Sequence, residues 1–206
     1  MNNDRLPRKS YNMLYNLDLK GKNNWASNVR LFLFELGLGY AWEYQGVGEE
    51  TVFVKTIRQR LIDCRWQNWQ AHIQTSKRFE MYRNFSTTHL VKSYLLFYMD
   101  RHMQLVLAKF RLGISQINVH SCRYKNVNNV DLLCPLCQES NEDEIHFVLK
   151  CPFLNNLRVR FIPKKFYAMP CLFRFCLLMA SNDEKIVRKL ALYLYKAFQF
   201  RETVLS

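Results

Sequence analysis

The chain has 206 residues, 49% hydrophobic and 15% aromatic, with 30 Lys+Arg against 17 Asp+Glu. That is enough apolar material for one sizeable domain or two small ones, and it excludes an intrinsically disordered chain. A formal charge of +13 favours polyanionic partners, nucleic acid or an anionic membrane face, and puts nucleic acid ahead of a merely soluble basic fold.

Only 6 Gly and 5 Pro interrupt the chain, so the expected fold is mainly α, a helical bundle-like region with a small zinc knuckle and C-terminal helices. The opening MNNDRLPRKS is polar, with no apolar run behind it, as expected of an intracellular chain, nuclear or cytoplasmic, that is not secreted. The most apolar stretch, Tyr167 to Ala180, is short and carries Pro170 and Arg174, so no membrane span is expected. Seven cysteines without a secretory signal read as reduced thiols or metal ligands rather than disulfides.

In chain order, residues 1–23 read as a polar linker or truncated edge. Residues 24–113 form a basic helical region. There, Trp25, Val29, Phe32 and Leu36 recur at helical spacing after a cap at Asn24 or Ser27, and Gly37 stops the helix. Glu49 to Ser76 reads as one long amphipathic helix, its apolar face carrying Val52, Phe53, Ile57, Leu61, Ile62, Trp66, Trp69 and Ile73. A short helix follows over KRFEMYRNFS, then one or two more that end near Gly113. Residues 114–163 form the zinc-binding module, in which ISQINVHSCRYKN reads as a short strand or extended loop. Residues 164–206 form C-terminal helices, the last starting at Asp183 with Ser181 or Asn182 as its cap.

Charge is uneven. Lys55 to Lys125 holds 13 Lys/Arg against 3 acids, and Lys150 to Arg174 holds 6 basic residues and no acid. Between them, Asp131 to Glu144 holds 5 acids and no base. The basic blocks are suited to phosphates, while the acids read as a solvated turn.

That turn begins the pattern C-x2-C-x8-H-x4-C, made by Cys134, Cys137, His146 and Cys151. Two residues between the first pair form a tight knuckle that aims two thiolates at one ion, with Leu136 packing beneath. His146 and Cys151 are off-face in a continuous helix. Pro152 drives the residue before it out of the α region, so the helix stops and Cys151 swings back. Three thiolates and an imidazole make a closed set, the signature of structural Zn²⁺ rather than a catalytic site. A redox C-x-x-C opens a helix in a βαβ unit, and no such unit is visible. His120, Cys122, Cys171 and Cys176 lack the partners for a second site and read as core or surface residues.

The order of motifs resembles the region C-terminal to the polymerase in non-LTR (LINE-type) retrotransposon reverse transcriptases. Arg111 and Gly113 match its Arg-x-Gly turn. Cys134, Cys137, His146 and Cys151 match its CCHC knuckle, and Pro152 and Arg158 match the Pro-x5-Arg that follows. The resemblance spans Trp25 to Ile162 and is most specific from Lys109 to Arg160. It implies a non-catalytic tail that holds template RNA or target DNA. The polymerase's Tyr-x-Asp-Asp turn is lacking. Its nearest counterpart, Tyr98 to Arg101, puts a cation where the second carboxylate belongs, which repels Mg²⁺.

The candidate nucleic-acid contacts are Arg111, Arg123, Tyr124, Lys125, Lys150, Arg158, Arg160, Lys164 and Lys165. Trp66 and Trp69 read as core, whereas Arg123, Tyr124 and Lys125 read equally as packing or as contacts. The competing expectations are a zinc-stapled protein-interaction module that presents the acidic turn to a partner, and a retroelement remnant without function.

Overall fold

The structure is a computed structural model and describes residues 6–88, 91–125 and 132–206. The described residues are mainly α, with no strand beyond one isolated bridge. None of their helices is long and apolar enough to cross a membrane. Two compact units divide within one long helix, residues 1–68 and 69–206, inside the region that the sequence presents as one basic helical stretch.

In the first unit, α1 (Leu6–Leu19), α2 (Trp25–Glu35) and α3 (Gly39–Glu43) pack in sequence. The stretch expected as a polar linker is thus helical from Leu6. Leu14 and Tyr15 of α1 reach a small core of Ala26, Leu33, Leu36, Leu38, Ala41 and Trp42. Two core contacts over a 14-residue helix are too few to show as a stripe in sequence. Asn24 caps α2 by accepting from Ala26 N, and Ser27 returns the bond to Asn24 N. Asp18 pairs with Arg30 at 2.9 Å.

α4 (Glu50–Thr75) is one continuous 26-residue helix, as expected. Its apolar face is not buried along its length: Phe53 and Ile57 join the first core and Ile73 is buried, while Val52, Leu61 and Ile62 remain exposed.

The second unit is organised on α10 (Glu184–Leu205), which packs against α5 (Arg101–Arg111) and α7 (Asn155–Phe161). Val187, Leu190, Ala191, Leu194 and Ala197 recur at three- and four-residue spacing, and all are buried. The cap of α10 is Asp183, one residue later than expected; it accepts from Lys185 N at 2.8 Å and Ile186 N at 3.2 Å. Asp100, in the stretch that superficially resembles a polymerase turn, caps α5 by accepting from His102 N at 2.8 Å. α8 (Lys164–Tyr167) and α9 (Leu172–Met179) complete the unit.

ISQINVHSCRYKN, expected as strand or loop, contains α6 (Asn118–Lys125). Its cap comes from far along the chain: Glu142 Oε2 accepts from Asn118 N at 2.7 Å and the Glu142 carbonyl accepts from Val119 N at 3.2 Å. No local residue signals such a helix start. KRFEMYRNFS forms two 3₁₀ turns, Lys77–Phe79 and Tyr82–Asn84, rather than one short helix.

α5 ends at the Arg-Leu-Gly turn. Gly113 has φ +68°, and a Cβ there would lie 2.5 Å from the carbonyl oxygen of Arg78. Both the left-handed backbone and the close approach exclude a side chain. Gly113→Ala is therefore expected to cost about 1–3 kcal/mol, read as a lower urea midpoint. Gly21→Ala, which meets nothing within 4 Å, controls for left-handed backbone alone and should cost less.

Candidate metal centre

The site begins as a tight hairpin. Cys134 N donates to the Ser140 carbonyl at 2.8 Å, Glu142 N donates to the Leu132 carbonyl at 2.6 Å, and Leu133 bridges Asn141. Inside it, Gln138 N donates to the Cys134 carbonyl at 2.8 Å, and Gln138 itself turns to φ +57°. Leu136 lies buried beneath this turn, as the sequence suggests. The geometry brings the Cys134 and Cys137 thiols to one side.

The chain then turns helical behind Asp143, whose Oδ1 accepts from His146 N at 2.6 Å. From His146 to Lys150 the backbone winds as a π turn, closed by Cys151 N donating to the His146 carbonyl at 2.8 Å. The wider turn answers the spacing problem: an α-helix separates positions five apart by well over one turn, whereas a π turn stacks them. Cys151 leaves it extended, at ψ 121°, as the proline after it requires.

The outcome is one group of donor atoms from Cys134, Cys137, His146 and Cys151, all within 4.8 Å of one another. Cys134 Sγ lies 4.0 Å from Cys151 Sγ, and Cys137 Sγ lies 3.4 Å from His146 Nε2. Among the described residues, no other His, Cys, Asp or Glu side chains form a group of three or more able to hold a metal ion. Ser140 Oγ sits 2.8 Å from His146 Nδ1. In the tautomer in which Nδ1 donates to Ser140 Oγ, the Nε2 lone pair is left for an ion. Hydrogen bonding to Cys151, then burial, pushes the Cys134 thiol up to about 11, while the same bond lowers Cys151. Crowded thiols hold a proton between them that a cation would displace.

A π turn leaves carbonyls without their usual helical donors. Arg158 supplies them: Nε donates to the Val148 carbonyl at 3.0 Å and Nη2 to the Cys151 carbonyl at 2.6 Å. Tyr193 of α10 donates to the Phe147 carbonyl at 2.7 Å. The Pro-x5-Arg motif is thus a clamp: proline sets the exit of the last ligand and arginine ties down its carbonyl.

The acids of this segment are not all solvated, contrary to the sequence expectation. Glu142 and Glu144 are buried. Arg201 of α10 reaches Glu142 through Nε–Oε1 at 2.8 Å and Nη2–Oε2 at 3.0 Å. Glu144 accepts from Arg123 Nη1 at 2.5 Å and meets His120 Nε2 at 3.1 Å. Burial opposes the Glu144 charge, but the bonds from His120 and the charge of Arg123 outweigh it and hold the carboxyl down to about 2. These pairs fasten α6 and α10 to the knuckle.

Several expected nucleic-acid contacts are therefore spoken for. Arg158 is buried in the clamp, Arg123 is paired with Glu144, and Arg111 is buried, its guanidinium over the rings of Phe85 and Tyr94. Their interior roles correct the surface roles expected of them. Lys150, Arg160, Lys164 and Lys165 are exposed. The side chains of Tyr124 and Lys125 lie outside the described residues. The bond from His120 to Glu144, the bond from Tyr193 to the π turn and the pairing of Arg201 with Glu142 escaped the sequence reading. Each joins residues separated in sequence by 24 positions or more.

No family model, curated protein or solved structure matches the chain.

Arg158→Ala takes the arginine donor from the buried Val148 carbonyl and leaves the Cys151 carbonyl with Leu154 N alone, and is expected to cost about 1–3 kcal/mol of unfolding free energy. Arg160→Ala, two residues along and exposed, should change stability by no more than about 0.5 kcal/mol. Urea titration of both variants separates the clamp from a general effect of removing an arginine.

Proposed function

We propose that the cluster is a structural Zn²⁺ site and that the chain is a zinc-stapled, non-catalytic nucleic-acid-binding tail akin to those of LINE-type reverse transcriptases. Three thiolates and an imidazole are the donor set that borderline-soft Zn²⁺ takes. Tetrahedral Zn–S and Zn–N bonds give edges of about 3.8 Å between sulfurs and about 3.6 Å between sulfur and nitrogen. The 4.0 and 3.4 Å separations are close to those edges. Zinc there would bind Cys134, Cys137, His146 and Cys151, neutralise the thiolate charge and lock hairpin to π turn. With four protein donors it has no open position for a substrate, so its contribution is rigidity.

The observation that carries the nucleic-acid reading is the basic face beside the knuckle. Lys150 leaves the π turn, Arg160 lies on α7, and Lys164 and Lys165 open α8, all exposed. No acid occurs between Lys150 and Arg174. α7 and α8 both pack on the π turn, so a metal-fixed turn presents these cations in a fixed array to phosphates. The protein-interaction alternative relied on an acidic turn facing outward, and burial of Glu142 and Glu144 removes much of that surface.

A gel shift at about 0.1 M salt with RNA, single-stranded DNA and duplex DNA tests the reading. Binding should weaken steeply with salt, with log K falling by about 0.7–0.9 per phosphate contact for each tenfold rise. Lys164→Glu with Lys165→Glu should lower that slope by about 1–2 and weaken binding to every sequence alike, with the thermal midpoint unchanged. No shift with any of the three nucleic acids would refute the assignment.

A further inference from the structure

Arg111 fits neither the knuckle nor the basic face. It is 7% exposed, and its Nη1 donates to the Met179 carbonyl. Its guanidinium lies 5.0 Å from the Phe85 ring centroid and 4.7 Å from that of Tyr94. Among the described residues no carboxylate pairs with it and nothing accepts from its Nε. A charge buried in this way is costly, and rings do not replace a counter-ion.

Arg111 borders a cavity of about 410 Å³, whose other lining includes Lys92, Ser93, Thr88, Ser181 and Asn182. None of the described lining residues is Asp or Glu. Ser93 Oγ donates to Asn182 Oδ1 at 2.6 Å, which joins two walls of the cavity. Lys92 Nζ donates to the Thr88 carbonyl and lies 3.2 Å from Thr88 Oγ1 and 5.9 Å from the Trp69 ring centroid, and among the described residues no carboxylate pairs with it. Burial, and then the charge of Arg111, lower the Lys92 pKa; burial likewise lowers that of Arg111. Two cations thus line one cavity, and the charge of Arg111 makes Lys92 harder to keep charged.

We infer that this cavity is a binding site for a phosphate monoester, with Arg111 and Lys92 supplying the charge and the Ser181 hydroxyl and Asn182 side-chain NH2 completing the oxygen contacts. A phosphate monoester carries about −1.5 to −2 charges near neutral pH, which balances two cations; a carboxylate would balance one. The cavity exceeds a bare phosphate and falls in the range of small-molecule sites, about 300–1,000 Å³. The phosphate can come from a free mononucleotide-like molecule or from the end of a nucleic-acid strand. The site rests neither on zinc nor on the exposed cations of α7 and α8.

Isothermal titration of the full chain tests it with four probes: inorganic phosphate, adenosine 5′-monophosphate, and a short oligonucleotide with either a 5′-phosphate or a 5′-hydroxyl. The expected result is saturable binding of inorganic phosphate and adenosine 5′-monophosphate and, with the strands compared in the Lys164→Glu, Lys165→Glu background that weakens general strand binding, at least tenfold weaker binding of the 5′-hydroxyl strand. The half-exposed Lys92 can be replaced without opening the core. Lys92→Ala should weaken binding of the phosphorylated probes by about tenfold with the far-UV circular dichroism unchanged. Equal affinity for the monophosphate and the phosphorylated strand identifies a free phosphate monoester as sufficient ligand; tighter binding of the strand identifies a strand end. No saturable binding of any phosphorylated probe overturns the site. So does equal binding of the two strands in the Lys164→Glu, Lys165→Glu background, or wild-type affinity for adenosine 5′-monophosphate in Lys92→Ala.

Discussion

Three sulfurs and an imidazole nitrogen packed within 4.8 Å of one another are the constraint on which the rest of this unit depends. The hairpin that carries Cys134 and Cys137 has few backbone rungs of its own, and the π turn that carries His146 and Cys151 is an intrinsically poor conformation. Neither would persist alone. Held to a common ion, as proposed, they would become a fixed corner, and the helices around them pack against it.

That support uses charge inwardly. Arg158 closes the carbonyls at the exit of the π turn, Arg123 and Arg201 hold the two buried glutamates, and Tyr193 reaches from α10 to Phe147. Losing one member of a buried pair is far more damaging than the pair is stabilising, because the remaining charge stays desolvated. The network therefore sets which arrangement the knuckle takes more than it adds to overall stability. It also revises the meaning of the chain's basicity. Part of the +13 is structural, and what faces outward beside the knuckle is Lys150, Arg160, Lys164 and Lys165.

The clustering of Cys134, Cys137, His146 and Cys151 was legible because its signals are local: a C-x-x-C turn, a histidine at helix start, and a proline that fixes the last cysteine. Helical class and the span of α4 were legible from periodicity. The start of α6 was not, since its cap is Glu142, 24 residues away. Nor was the burial of Arg111 and Arg158, because an arginine satisfying carbonyls and one meeting phosphates look alike in sequence. The Arg-x-Gly and Pro-x5-Arg motifs were visible as motifs. Their physical sense, a glycine pressed against the Arg78 carbonyl and a clamp on the Cys151 carbonyl, needed the third dimension.

The account stands most directly on the metal. Elemental analysis by mass spectrometry of purified, dialysed chain should give one zinc per molecule. Cys134→Ser should lose that zinc and with it the cooperative unfolding of residues 69–206. A wild-type chain that folds cooperatively while carrying no zinc would contradict it.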